Sequence, residues 1–291
     1  MKYALFIGCN IPARVGQYEA SARAVLEKLN VGVADIPAFN CCGYPSRNTD
    51  LKTYLLLSAR NLALAETESL PVMTLCQCCF GSLKKAAHLL KTDAGMRKEI
   101  NGYLKKEGLS FQGEVPIKHL LTVLYEDVGI SRLKKNISPG FKKLKVATHY
   151  GCHTLRPSDV MQFDNPAAPV VFDQLVTVTG AKSVDWPLKL DCCGAPVRGV
   201  NDQLSTDLTK KKISSGVEAG ADCFCVACPW CQLQFDSVQR DLSEKQGIPP
   251  ELPPVVFPQL LGLAMGISKD KLSTDQYKSA MDGLEAYLSQ E

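Results

Sequence analysis

The sequence predicts an α/β protein made of two similar halves, each folded as β-α-β-α-β-α around a parallel sheet. Two observations lead to this fold class. Short apolar runs alternate along the chain with helical patterns, as in parallel sheets joined by helical crossovers. A set of five cysteines also occurs twice in the same order, with corresponding members 143 to 152 residues apart, which indicates an internal duplication. A chain of 291 residues is long enough for two such domains.

The predicted strands precede the cysteines in both halves, at residues 3–7, 31–39, 71–75, 144–148, 181–190 and 223–227. Helical patterns follow the cysteines, at residues 17–29, 50–66, 83–90, 170–178, 202–219 and 233–242. Asp50 is the expected N-cap of the second helix. Because the carboxyl ends of parallel strands share one edge of a sheet, we expect the cysteines of each half to lie together at the strand carboxyl ends.

The chain divides at residue 143 into a first domain, 1–143, and a second domain, 144–291. From about residue 91 to 143 the pattern loosens, so we interpret this segment as a connector with one helix at 117–128. Its basic stretch, 132–145, is either a solvated surface or a docking face for an acidic partner. An amphipathic helix is expected at residues 274–288, near the C-terminus.

Composition excludes several function classes. A net charge of +3 is too small to indicate a nucleic-acid partner. The longest apolar stretch, residues 255–267, is shorter than the roughly 20 residues of a bilayer span, so we expect no membrane span. The N-terminus has no signal-peptide pattern, which predicts a cytoplasmic protein. Thirteen cysteines in a reducing compartment are expected to be metal ligands rather than disulfides.

The two cysteine sets share one pattern, in which a single cysteine is followed by a Cys-Cys-Gly triplet and then by Cys-x-x-Cys. Residues around the motifs repeat as well: Phe-Ile-Gly-Cys matches His-Tyr-Gly-Cys, and Cys-Cys-Gly-Tyr-Pro matches Cys-Cys-Gly-Ala-Pro. The first set is Cys9, Cys41, Cys42, Cys76 and Cys79, and the second is Cys152, Cys192, Cys193, Cys228 and Cys231. Three cysteines lie outside the pattern, and we expect them to be small buried side chains: Cys78, Cys223 and Cys225.

Five thiols that include an adjacent pair favour an opened iron–sulfur cluster. A structural zinc ion takes four ligands, and a cubic four-iron cluster also takes four thiolates. The sequence has no dinucleotide-binding glycine motif, no Walker A motif and no ferredoxin-type cysteine run, so electrons are expected to arrive from another protein.

The two sets, with the sequences LCQCCFGSLKKAAHLL and HYGCHTLRPSDV, resemble the CCG domains of the heterodisulfide reductase B subunit over nearly the whole chain. The resemblance implies that each set binds a noncubane 4Fe-4S cluster, with all ten cysteines of the two sets as ligands. It implies a disulfide substrate cleaved between the two clusters. It also implies two partners, the iron–sulfur C subunit and the flavin-bearing A subunit of the same complex.

The sequence does not identify the substrate. It is either the coenzyme M–coenzyme B heterodisulfide of methanogens or another disulfide, including one on a small sulfur-carrier protein. Two rival functions also remain. CCG domains resemble parts of lactate or glycolate oxidases and succinate dehydrogenases, where they would transfer electrons without turning over a disulfide. A zinc-bound scaffold would contain no inorganic sulfide.

Reduction of a disulfide needs protons, and histidine titrates near neutral pH. His153, directly after Cys152, is the candidate catalytic proton donor, with a structural role as the alternative. His149 is expected to be structural, and no chemistry is assigned to His88 or His119. Five basic residues follow ligand cysteines and are candidates for binding an anionic substrate: Arg14, Lys84, Lys85, Arg156 and Arg198.

Overall fold

The computed structural model describes residues 1–247, 252–273 and 278–288. Its strands form two four-stranded parallel sheets, one in each half. The strands of the first sheet are β1 (Lys2–Phe6), β2 (Gly32–Ala34), β3 (Val72–Thr74) and β4 (Ile117–His119). Those of the second are β5 (Lys145–His149), β6 (Lys182–Ser183), β7 (Cys223–Val226) and β8 (Pro254–Val256). The predicted α/β fold with two parallel sheets is confirmed.

Both sheets have the same strand order, β2-β1-β3-β4 and β6-β5-β7-β8. In the first sheet Ala4 of β1 pairs with Ala34 on one side and Val72 on the other. The chain therefore leaves the central strand in opposite directions along the sheet. In open parallel sheets such a switch point forms a crevice at the carboxyl ends of the strands, where ligands bind.

Helices cover the sheets and connect the strands. Those of the first half are α1 (Asn10–Arg14), α2 (Gly16–Lys28), α3 (Leu51–Thr67), α4 (Gln77–Thr92), α5 (Ala94–Leu104), α6 (Leu120–Thr122), a π-helical segment (Val123–Gly129) and α7 (Ile130–Lys135). Those of the second are α8 (Ser158–Met161), α9 (Val171–Val178), α10 (Asp202–Glu218), α11 (Pro229–Gln246), α12 (Phe257–Ala264), α13 (Lys269–Leu272) and α14 (Lys278–Glu285). Short 3₁₀ turns lie at Tyr44–Ser46, Lys105–Glu107 and Ala195–Val197.

The structure differs from the expected elements mainly at short strands. The helix expected from residue 117 begins only at Leu120, because Ile117 to His119 pair in parallel with Val72 to Thr74 as β4. The predicted strands at 31–39 and 181–190 shrink to three and two residues before the chain turns toward a cysteine pair. In the C-terminal helix expected at 274–288, residues 274–277 lie outside the described part, and α14 covers Lys278–Glu285.

The helix that follows each cysteine pair begins in the same way. Asp50 caps α3 by accepting a hydrogen bond from the Thr53 N–H at 3.0 Å, as predicted. Asn201 caps α10 by accepting one from the Leu204 N–H at 3.0 Å. Each cap satisfies a backbone donor that the helix itself leaves free, a contact that stabilises a helix by about 1 kcal/mol.

A single hydrophobic core runs through both halves. Buried side chains from β1 and β3 belong to the same cluster as those from β5 and β7. Helix α2 of the first half packs against α12 and α13 of the second, and the Lys28 amino group donates to the Met265 carbonyl. This shared core fixes the two sheets relative to each other. Among the described residues, no helix is both long and apolar enough to cross a lipid bilayer.

The turn after the first cysteine pair requires a glycine, which leads to a stability prediction. Gly43 has φ +82°, and a Cβ there would lie 2.8 Å from the Tyr54 carbonyl oxygen. Gly108 has φ +71° with open space around it. Gly108→Ala should lower the free energy of unfolding by about 1 kcal/mol from backbone strain alone. Gly43→Ala should cause the same strain and, in addition, lose roughly 1–3 kcal/mol from overpacking against Tyr54.

Urea unfolding monitored by circular dichroism measures both variants against the original protein. Equal losses in the two variants would contradict the close packing of Gly43 against α3.

Candidate metal centres and cleft

Both cysteine sets lie at the carboxyl edges of the sheets, where the helices begin. Cys9 follows β1 and is the N-cap residue of α1. Cys76 follows β3 and is the N-cap residue of α4, and Cys228 follows β7 in the same position before α11. Helix N-termini carry partial positive charge, which favours thiolates and anionic groups bound to them.

Four thiols of the first set contact one another. Hydrogen bonds from Cys41 and Cys79 lower the pKa of Cys42, while contact with Cys42 raises the pKa of both Cys41 and Cys79. Cys79 also contacts Cys76. Cys9 is exposed, and its charge contributes to raising the pKa of Cys41. These opposite shifts mean that the thiols compete to carry negative charge within a small volume.

The second set is gathered in the same way. The Cys193 and Cys231 sulfur atoms are 3.5 Å apart, and Cys192 accepts a hydrogen bond from the Gly194 N–H at 3.4 Å. Contacts with Cys152 and Cys193 lower the pKa of Cys192 to about 2, while Cys192 raises the pKa of Cys152 and Cys193. The duplication seen in the sequence is therefore also a duplication of local geometry.

The two sets meet at Cys78, one of the three cysteines outside the repeat. Its sulfur lies 3.9 Å from that of Cys228, and the sulfurs of Cys76, Cys78 and Cys228 all lie within 4.8 Å of one another. Sequence reasoning missed this position because the second half has Trp230 where the first has Cys78. By contrast, Cys223 and Cys225 are buried in β7, where burial raises the pKa of each.

Polar side chains from α3 and α10 hold the backbone of the two cysteine pairs. Ser58 donates to the Cys42 carbonyl at 2.7 Å, and Thr209 donates to the Cys193 carbonyl at 2.8 Å. Both hydroxyls are buried. Ser58 and Thr209 are 151 residues apart, as are the two cysteine pairs. Equivalent positions therefore anchor equivalent carbonyls, which orients each pair toward its set.

His153 lies between the two sets. Its Nδ1 is 3.3 Å from the Cys152 sulfur and 3.6 Å from the Cys78 sulfur, and its Nε2 is 3.3 Å from an Arg47 guanidinium nitrogen. A guanidinium only donates, so Nε2 accepts and the neutral ring carries its proton on Nδ1, facing the sulfurs. Burial lowers the pKa of His153, and Arg47 lowers it further.

The other histidines separate into three environments. His88 is exposed. His119 is buried, with Nε2 3.2 Å from the Leu75 carbonyl and Nδ1 accepting from the Leu121 N–H. His149 is equally buried, but neither ring nitrogen has a hydrogen-bond partner among the described residues. One of its nitrogens lies within 4.8 Å of the Cys193 and Cys231 sulfurs.

A cleft of about 850 Å³ opens between the two halves. Its floor includes six cysteines: Cys78, Cys152, Cys192, Cys193, Cys228 and Cys231. Its walls carry His153, the half-exposed Trp230 and three arginines, Arg14, Arg198 and Arg240. No carboxylate is among the lining residues in the part of the chain that the structure describes. The cleft therefore favours an anionic molecule.

Of the five basic residues expected at the site, the structure brings two into this cleft, Arg14 and Arg198. Arg198 pairs with Asp241 at 3.3 Å, and Arg240, which the sequence did not single out, pairs with Asp236 at 2.8 Å. Arg14 has no ion-pair partner within the described ranges. The remaining three, Lys84, Lys85 and Arg156, are not among the residues that line the cleft.

The donor chemistry of both centres fits an iron–sulfur cluster. Contacts link four thiols of the first set, with Cys9 close enough to affect the pKa of Cys41, and all five thiols of the second set, so each centre offers more thiols than one tetrahedral zinc ion needs. The thiols are mostly buried, and peptide N–H groups and helix N-termini face them. The all-sulfur donor set is typical of iron–sulfur ligation rather than of hard cations.

Comparison with known proteins agrees with this site. The profile of the CCG family, a cysteine-rich domain, matches residues 3–84 and 146–236. The chain is 39% identical to the B subunit of ferredoxin:CoB-CoM heterodisulfide reductase from Methanosarcina mazei, over 94% of this chain and 93% of the relative. It is 33% identical to the 8-methylmenaquinol:fumarate reductase membrane anchor subunit of Wolinella succinogenes, over 93% and 94%.

More distant similarity extends to other proteins. Lactate utilization protein A of Oceanobacillus iheyensis is 26% identical, over 76% of this chain and 83% of its own. The crystal structure of a hypothetical protein from Helicobacter pylori superposes with a TM-score of 0.71 at 19% identity. The match covers 93% of this chain but only half of that longer one, and it supports the fold alone.

Two thiol sets at the carboxyl edges of two parallel sheets define a duplicated, cysteine-rich redox protein. The chain belongs to the CCG cysteine-rich domain family and, within it, to the group of heterodisulfide reductase B subunits. Its relatives named for an activity include subunits of oxidoreductases, so the prediction of a redox subunit is confirmed at that level.

Adjacent cysteines in α4 provide a test of the predicted ligand set. Cys79→Ala removes a thiol of the repeated set, and we expect it to lower the iron content of anaerobically purified protein to about half, because one of two centres is lost. Cys78→Ala is the matched control and should retain the iron.

Iron per chain, measured by a colorimetric assay with circular dichroism to verify folding, decides between these outcomes. An equal loss of iron in both variants would make Cys78 a ligand and overturn the set of five.

Proposed function

We propose that this chain is the catalytic iron–sulfur subunit of a heterodisulfide reductase complex. It would reduce a disulfide, either the coenzyme M–coenzyme B heterodisulfide or a related thiol disulfide, to two thiols. The ten cysteines of the two repeated sets would bind two noncubane 4Fe-4S clusters. The observation that carries this proposal is the cleft between the halves, which combines site cysteines, a histidine and arginines.

The reaction consumes two electrons and two protons, breaks one S–S bond and forms two S–H bonds. When bound, the two clusters supply one-electron reducing equivalents to the cleft. The protein residues then have two tasks, which are to place the disulfide over the floor of the cleft and to deliver protons to the product sulfurs.

His153 is the proposed proton donor. Its Nδ1 proton faces the Cys78 and Cys152 sulfurs at the floor of the cleft. Arg47 on Nε2 fixes this tautomer of the resting ring. To act as an acid His153 has to take up a second proton, which breaks the contact between Nε2 and Arg47; loss of one proton to a product sulfur then returns the neutral ring, which burial and Arg47 favour. The Tyr44 ring meets the imidazole edge to face at 5.2 Å between centroids, which limits rotation of the ring.

The arginines of the cleft are proposed to bind anionic groups of the substrate. Arg14 extends from the end of α1 with no internal ion pair among the described residues, so its donors are available to a ligand. A guanidinium binds carboxylate, sulfonate or phosphate oxygens in a forked geometry. A disulfide with an acidic group on at least one arm, or an acidic sulfur-carrier protein, fits this cleft.

Electrons are proposed to arrive from the iron–sulfur C subunit of the complex, supplied in turn by its flavin-bearing A subunit. The name of the methanogen relative, which is one lettered subunit of a reductase, supports a complex of this kind. A reducing, cytoplasmic location is part of this proposal, because cysteines have to remain unpaired thiols to bind metal centres.

A second function is also supported. The similarity to a fumarate reductase subunit and to lactate utilization protein A favours an electron-transfer subunit of another oxidoreductase. Such a subunit would cycle in redox state without turning over a disulfide.

Disulfide turnover separates the two functions. Anaerobic protein is supplied with reduced methyl viologen and either the coenzyme M–coenzyme B heterodisulfide or cystamine, whose charge is positive. The reductase proposal expects thiols to appear in proportion to viologen oxidised, and faster with the anionic substrate. If viologen reduces the clusters but no thiol is released from either disulfide, the result would support the electron-transfer function instead.

Arg14 gives a prediction on substrate binding. Arg14→Ala should raise KM for the anionic disulfide by about tenfold or more, since a charge-assisted hydrogen bond contributes about 1.5–3 kcal/mol, and should leave kcat nearly unchanged. Arg156 is exposed and is not among the cleft-lining residues, so Arg156→Ala is the control with an unchanged KM. The same KM in the Arg14→Ala variant and the original protein would remove Arg14 from the binding site.

A further inference from the structure

The two candidate centres differ at a position that the duplication makes equivalent. Asn61 of α3 donates through its side-chain amide to the carbonyls of Asn40 and Cys41, next to the first cysteine pair. Lys212 of α10 lies 151 residues later and donates through its amino group to the carbonyl of Asp191, next to the second pair. The backbone contact is kept while a neutral amide is replaced by an ammonium group.

Lys212 is a buried positive charge. Its residue is 1% exposed, and its amino group also donates to the Leu188 carbonyl and stands 4.7 Å from the centre of the Trp186 ring. No ion pair joins it to a carboxylate within the described residues, although Asp191 contributes a long-range attraction. Burial lowers the pKa of Lys212 to about 8, while Asp191 and the negative charge on Cys193, Cys231 and Cys192 act to raise it. The ammonium form therefore predominates at pH 7 and attracts the second cysteine set.

A second difference reinforces the first. His149 and Phe6 are the residues three positions before Cys152 and Cys9. A Cβ built on Gly8 would lie 2.8 Å from the Cys79 sulfur and 3.8 Å from a ring carbon of Phe6, so Phe6 lies near Cys79. His149 occupies the corresponding place near Cys231 with both nitrogens lacking partners among the described residues. The second centre thus has an imidazole where the first has a phenyl ring.

Both differences between the halves stabilise the reduced state of a redox centre in the second half. Reduction adds one negative charge, which a nearby fixed cation stabilises most strongly where water is excluded. The His149 ring nitrogens have no hydrogen-bond partner among the described residues, so its N–H is available to a sulfur of a bound cluster. Such a hydrogen bond also favours the reduced state, because hydrogen bonds to sulfur and net charge set cluster potentials. The first centre has neither group in the equivalent places.

We propose that Lys212 and His149 give the cluster held by the second cysteine set a higher reduction potential than the cluster held by the first set. An electron entering either centre then resides on the second, whose cysteines Cys152, Cys192, Cys193, Cys228 and Cys231 line the cleft. This inference rests on the proposed iron–sulfur occupancy of both sets. Lys212 and His149 are positioning and tuning residues, not catalytic ones, since neither is among the residues that line the cleft.

An anaerobic redox titration followed by electron paramagnetic resonance tests this difference at pH 7. Cys9→Ser and Cys152→Ser, each altering one set, assign the signals to the first and second centres. The original protein should give two midpoint potentials, with that of the second centre higher. Lys212→Asn, which introduces the residue found in the first half, should lower the potential of the second centre toward that of the first and leave the first unchanged. Lys212→Arg, which keeps the positive charge, should keep the potential of the second centre at its original value.

Two further variants keep the test informative if Lys212→Asn does not fold. Asn61→Lys should raise the potential of the first centre only. His149→Phe should lower the potential of the second centre, and the imidazole contribution to the nitrogen hyperfine coupling at that centre should disappear in pulsed measurements.

Three results in the original protein would each overturn the inference. They are equal potentials at the two centres, a higher potential at the first centre, and zinc in place of a redox-active cluster at the second. Unchanged potentials in folded Lys212→Asn and His149→Phe proteins would overturn the assigned cause. Two separate potentials without disulfide turnover would refute the proposed reductase function and leave this inference standing.

Discussion

The convergence of thiols at the carboxyl edges of the two sheets is the constraint on which the rest of the structure depends. Thiolates this close repel one another, as the opposed pKa shifts within each set indicate. The protein offsets the repulsion with helix N-termini and with peptide N–H groups. The hydroxyls of Ser58 and Thr209 hold the cysteine pairs in place by donating to their carbonyls. The glycine turns at Gly43 and Gly194 bring each pair back toward its sheet.

The cleft follows from how the two halves are joined. A shared core and the packing of α2 on α12 fix the sheets in one relative position, and the Gln77 side chain donates to the Tyr150 carbonyl across the junction at 2.8 Å. All five cysteines of the second set line the cleft, whereas none of the five cysteines of the first set does. A duplicated sequence has therefore produced two centres with different access to the cleft and different surrounding charge.

Sequence reasoning predicted the α/β class, the duplication and the gathering of the cysteines, because strand-to-cysteine spacing is a local property. It missed β4 and β8, since three-residue strands that lead directly into helices leave almost no periodic signal. It could not separate Arg14 from Arg156, because only the packing of the halves decides which arginine lines the cleft. It also treated Cys78 as an ordinary buried thiol, since its neighbours Cys228 and His153 belong to the other half.

The central claim, two iron–sulfur centres in one chain, is tested most directly by the content of iron, acid-labile sulfide and zinc in protein purified without oxygen. The account predicts about eight irons per chain with matching sulfide and little zinc. Zinc without sulfide would contradict it, and the two cysteine sets would then be structural metal sites.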